Sequence, residues 1–84
     1  MQKLRHSNRE YETRTVTDLE EGWFAVELYR TDLGSAQLSA RVTDWDAMGQ
    51  YTVETANGFV PLDVLEKAIA EARSQESPLT YTSR

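Results

Sequence analysis

The residues of this chain best suited to chemistry are few and scattered. Asp44-Trp45-Asp46 sets two carboxylates two positions apart, a spacing that supplies oxygen ligands to calcium or magnesium when further donors follow at fixed offsets. No such pattern follows, and aspartates beside Met48 and Gly49 are equally the composition of a turn. The pair would act as general acid and base only inside a pocket that sets their pKa values apart, and no pocket-forming insertion surrounds it. His6 is the one histidine and stands in a polar N-terminal stretch, so a histidine-dependent triad requires that stretch to fold back. Cysteine is absent, which removes disulfides, thiolate metal sites and a cysteine nucleophile together. Gly22, Gly34, Gly49 and Gly58 each stand alone in turns rather than in a phosphate-cradling loop. The inventory points away from an enzyme, and to neither a cofactor nor a metal.

What remains informative is the patterning that must position any site. Apolar residues recur at every second position through Phe24, Val26 and Leu28, then Leu38, Ala40 and Val42, then Tyr51 and Val53, which is the period of strands with one buried face. Four strands are expected, at about Glu10 to Thr17, Trp23 to Arg30, Ala36 to Thr43 and Gln50 to Thr55. The first, rich in threonine and charge, suits an edge. Short connections between them imply an antiparallel meander.

After Asn57-Gly58, a turn signal, the period changes. Pro61 fits a first helical turn, and Leu62, Leu65, Ile69 and Ala72 form a stripe at helical spacing, widened by Ala68. The helix is expected to end near Ser74 to Glu76. The fold class is therefore α+β, a four-stranded antiparallel β-meander with one C-terminal helix packed across one face. One domain spans residues 1–84, with a polar basic arm over 1–9, a folded core over 10–76 and a flexible tail over 77–84.

Register follows from keeping apolar residues together. Pairing Phe24 with Val42 sets Val26 beside Ala40 and Leu28 beside Leu38, and pairing Val42 with Tyr51 sets Ala40 beside Val53. Val26, Leu28, Ala40, Val53, Leu65 and Ile69 are then expected to be buried together. The opposite face collects Trp23, Ala25, Glu27 and Tyr29 with Arg41 and Glu54. With Thr15 beneath Val26, Arg14 falls opposite Glu27, and Arg41 lies diagonal to both Glu27 and Glu54. Such alternating charges read as a solvated sheet face held by weak cross-strand pairs.

Trp23 opens one strand and Trp45 closes the next, so antiparallel pairing brings both indoles to one end of that face, beside Met48. Either an indole folds over the sheet edge into the core, or the two form an exposed apolar patch of the kind that marks a binding surface. Trp23, Tyr29, Arg41, Trp45 and Met48 are accordingly the candidate protein-contact surface.

Charge and hydropathy bound the partners. The chain of 84 residues has a net charge of −5, which disfavours nucleic acid as a partner, although Lys3, Arg5, His6 and Arg9 form a short basic run. No stretch has the length and hydropathy of a membrane span or a signal-peptide core, so no membrane partner is expected and the cytoplasm is the expected location. A core this small gains from self-association. The leading expectation is a small non-enzymatic binding or accessory protein that acts through protein contacts, as a homodimer. Two further classes stay open. One is an acidic inhibitor or nucleic-acid mimic presenting Glu20, Glu21, Asp44, Asp46 and Glu54 to a basic protein. The other is single-strand binding by stacking on Trp23, Tyr29 and Trp45 near Arg41.

Overall fold

The computed structural model describes residues 1–45 and 50–82, with the helix from residue 76 onward described by its backbone alone. Strands β1 (Lys3–His6), β2 (Arg9–Asp18), β3 (Trp23–Arg30), β4 (Gln37–Trp45) and β5 (Tyr51–Thr55) precede one helix, α1 (Leu62–Thr82). The sheet order is β1-β2-β3-β4-β5 with every neighbouring pair antiparallel, so the expected meander and helix are present with five strands rather than four.

The additional strand lies in the stretch expected to be an arm. Lys3-Leu4-Arg5-His6 carries little β-forming character, yet it pairs with Arg9 to Glu12 through a tight turn in which Ser7 takes a positive φ of 55°. Primed hairpin turns need that conformation, and serine adopts it at a cost of roughly 1–2 kcal/mol. Compensation comes from both ends of the strand. Leu4 packs on the cluster of Tyr11, Leu28, Ala40 and Val64, while the Gln2 carbonyl accepts from the Thr13 N–H and the Gln2 N–H donates to the Thr13 hydroxyl.

Thr15 pairs with Val26 and Arg14 with Glu27, as expected, but the next two ladders sit two residues away from the expected register. Val26 faces Val42 and Leu28 faces Ala40, while Val42 faces Val53 on the other side. A slip of two leaves every side chain on its own face, so the apolar pattern cannot distinguish these registers. The observed one pairs Trp23 with Trp45 and sets Arg41 directly opposite both Glu27 and Glu54 rather than diagonal to them. A bulge after Leu28 sets Tyr29 against Leu38 and leaves Ser39 out of the β3 ladder.

The helix closes the inner face with most of the expected stripe, Leu65, Ala68, Ile69 and Ala72, but Val64 takes the place expected of Leu62. Val64, Ala68 and Ala72 are buried at its centre, Leu65 and Ile69 flank them half-buried, and Leu62 is 68% exposed. The small Ala68 and Ala72 lie over the bulky Phe24, Val26 and Val42, so the helix backbone approaches the sheet closely and the longer aliphatics fill the sides. Val53, expected in the core, is 43% exposed, because α1 packs on β1, β3 and β4 and leaves β5 largely uncovered. Helical backbone also continues past the expected end near Ser74 to Glu76 and runs to Thr82. Proline loses a backbone hydrogen bond and crowds the preceding turn, which is a ground for expecting a stop before Pro78, and the backbone is helical through it. Among the described residues no helix is long and apolar enough to cross a membrane.

Candidate functional site

Alternation along β3 sends Phe24, Val26 and Leu28 toward the helix and Trp23, Ala25, Glu27 and Tyr29 to the outer face. No described helix or strand packs over that face, yet Ala25, Glu27, Ser39 and Thr43 are buried on β3 and β4. Taller neighbours lying flat across the sheet account for the covered outer positions.

Glu27 is the centre of this layer. Its Oε2 accepts from Arg41 Nε at 2.9 Å and from Arg41 Nη2, while its Oε1 accepts from the Tyr29 hydroxyl at 2.8 Å. The Glu27 side chain is 8% exposed and that of Arg41 38%, so the pair lies at the boundary between protein and water. Arg14 lies over the Tyr29 ring at 4.2 Å from its centroid and donates from Nε to Glu12 at 2.7 Å. The bond donated to Glu27, with burial second, pushes the Tyr29 hydroxyl above its ordinary pKa, against the pull of Arg14 and Arg41. At neutral pH the phenol therefore holds its proton, and the arrangement suits a fixed surface rather than proton transfer.

At one end of the same face the indoles meet. Trp23 and Trp45 have ring centroids 6.2 Å apart with planes inclined at 56°, a favourable aromatic geometry. Trp45 Nε1 donates to Thr52 Oγ1 at 2.9 Å, and Trp45 remains 44% exposed. Of the candidate contact residues, Trp23, Tyr29, Arg41 and Trp45 thus share one face. Met48 and Asp46 lie outside the described residues.

The chemistry-bearing residues fare differently. Asp44, expected in a turn and as a presented carboxylate, is instead a fully buried member of β4 on the helix-facing side, across from Phe24 and Tyr51. That burial withdraws it from any acidic docking surface. His6 does fold back, because β1 pairs in the sheet, and its Nδ1 reaches Asp63 at 3.0 Å. That hydrogen bond holds the Asp63 carboxyl below its ordinary value. The contact pins the β1–β2 hairpin to the first turn of α1, beside Arg9 stacked 4.4 Å over Phe59. Among the described residues no three histidine, aspartate or glutamate side chains gather as metal ligands.

Sequence reasoning omitted Arg14 and Thr52 from the contact surface. Parity places both on the outer face, and only the contact of Thr52 with Trp45 needed the observed β4–β5 register. A shallow groove of about 360 Å³ runs along β1 and β2 between Lys3, Arg5, Glu10 and Glu12, where opposite charges already face one another. No family model, no curated protein and no solved structure matches this chain.

Proposed function

We propose that this chain is a small non-enzymatic binding protein whose outer sheet face docks a protein partner, with Trp23 and Trp45 as anchors. The observation that carries the reading is the indole pair, centroids 6.2 Å apart, with Trp45 44% exposed on a sheet face that no described element covers. Paired aromatics beside an arginine are the usual composition of an interface centre, and a preformed pair loses little freedom on docking.

The charge layer favours protein over nucleic acid. Arg41 is engaged by Glu27, Arg14 by Glu12 and Arg5 by Glu10, so three cations on or beside the aromatic face already have carboxylate partners. Phosphate binding would have to displace them, whereas a protein surface can accept the pairs intact.

The test is capture of host proteins on the immobilised full chain, compared with a Trp23→Ala/Trp45→Ala double variant shown to be folded by circular dichroism. A discrete partner that is lost on substitution and held with little salt dependence is the expected result. Binding of a single-stranded oligonucleotide at about micromolar concentration and physiological salt, lost in the same variant, would replace this reading with base stacking.

A further inference from the structure

The two edges of the sheet are built differently. β1 presents Lys3, Arg5 and His6 and contacts the helix, which are the usual means of blunting an edge. β5, Tyr-Thr-Val-Glu-Thr, has no lysine, proline or bulge, and the helix leaves it largely uncovered.

The direction of its backbone groups follows from the ladder. Trp45 N–H donates to Gln50 C=O and Ala56 N–H to Ser39 C=O, so the even-numbered residues of this segment bond toward β4. In an antiparallel ladder the groups alternate, and Val53 and Thr55 therefore direct their N–H and C=O to the open edge. Val53 is also the exposed aliphatic on the helix-facing side of that edge.

We propose that the occupant of this edge is a second copy of the chain, with β5 pairing antiparallel to itself about a twofold axis through the Val53 pair. The register is self-consistent. Val53 meets its own counterpart in a hydrogen-bonded pair, and Glu54 falls opposite Thr52 rather than opposite another carboxylate.

The same axis acts on the helix. Ile69 and Ala70 line an open groove of about 380 Å³ closed at one end by Glu66 and at the other by Arg73. Arg73 lies 5.8 Å over the Tyr51 ring, which places this stripe toward β5. A twofold perpendicular to the sheet sets the two helices antiparallel on the same side, so the Arg73 end of one stripe approaches the Glu66 end of the other. A stripe charged oppositely at its two ends is complementary to its own rotated copy, and not to a parallel one.

Joining the edges makes one continuous sheet and covers the Val53 side of both cores. It also sets two Trp23/Trp45 ends on one outer surface. This arrangement does not depend on the partner proposed above, since it uses β5 and α1 rather than the indoles.

Sedimentation equilibrium of the full chain at about 100 μM tests it, and a dimer is the expected species. Val53→Pro removes an N–H that bonds nothing toward β4, so it should leave a folded monomer by circular dichroism. Glu66→Arg and Arg73→Glu should each weaken the dimer about tenfold, the scale of one partly desolvated charge pair, and the two together should restore it. Trp23→Ala should leave it unchanged. A monomeric parent chain, a dimer that survives in folded Val53→Pro, charge reversals without mutual rescue, or a dimer lost in Trp23→Ala would each overturn the arrangement.

Discussion

The two faces of this sheet are both buried in places, by different means. On the inner face a second layer does the burying: Phe24, Val26 and Val42 lie under Ala68 and Ala72, and Leu28 and Ala40 under Val64. On the outer face the sheet covers itself, with Arg14 across Tyr29, Arg41 against Glu27 and one indole against the other. The first arrangement gains mostly from excluding water from apolar surface, which makes it the stability reserve of a domain this small. The second leaves polar heads in contact with water and gains less per residue. It is also the face that can exchange its water for a partner without unfolding anything.

The difference is broken most forcefully on the inner side. Phe24→Ala should cost about 3–5 kcal/mol, since the side chain is buried and the rigid sheet beneath it cannot collapse into the space. For a chain of this length that is most of the net stability, and urea denaturation should show a largely unfolded population without denaturant. A loss below about 1 kcal/mol would mean that the inner layer is not the reserve.

Removal of the outer centre should cost less. Glu27→Ala takes the acceptor from Tyr29 and Arg41, but Arg41 reaches water and Tyr29 lies at the surface, so about 1–3 kcal/mol is expected. Glu27→Gln keeps the shape and should fall nearer the lower end. The chain should remain folded in both, as judged by an unchanged near-ultraviolet signal from the tryptophans. A loss as large as that of Phe24→Ala would erase the distinction between the faces.

The indole pair should matter less still to folding. Aromatic pairs contribute about 0.5–1.5 kcal/mol beyond the area they bury, and Trp45 is already partly in water. A double-mutant cycle on Trp23 and Trp45 should return a coupling in that range from denaturation midpoints, while partner capture is lost. Coupling well above it would assign the pair to the fold rather than to a contact surface.

The same contrast explains what could be read from the chain. Alternation assigned side chains on β3 and β4 to their faces, because period two is a local property of a strand. It did not fix which residues pair, since a slip of two preserves the faces; that choice rests on Trp23 meeting Trp45 and on Arg41 meeting two carboxylates. Asp44 shows the limit of composition, for an aspartate next to a turn signal lies inside a strand and fully buried. β1 was hidden for another reason. Its one inward apolar residue, Leu4, gives no period, and its turn uses serine where glycine would have announced it. The helix stripe was legible through Leu65, Ala68, Ile69 and Ala72, but its centre was not: close packing on a sheet of large residues puts the alanines and Val64 innermost and leaves Leu65 and Ile69 at the sides and Leu62 exposed.

The smallest expected effect is a pH dependence confined to the outer face. The Tyr29 hydroxyl donates to Glu27, and this bond and partial burial hold its pKa above the ordinary 10.0. In the unfolded chain the phenol loses its proton near the ordinary value, so between that value and the raised one the folded state binds more protons. Stability from this group is therefore complete below pH 10 and is lost as pH rises through the raised value. Every other group is common to the parent and a Tyr29→Phe variant, so the difference between the two isolates the Tyr29 hydroxyl. Denaturation midpoints of the two proteins should accordingly converge as pH is raised from about 8 to about 11, the parent falling faster. Parallel decline of the two would show that the Tyr29 to Glu27 bond contributes nothing that depends on the proton. The outer layer would then rest on the Arg41 and Glu27 pair, Arg14 across the Tyr29 ring and the indoles.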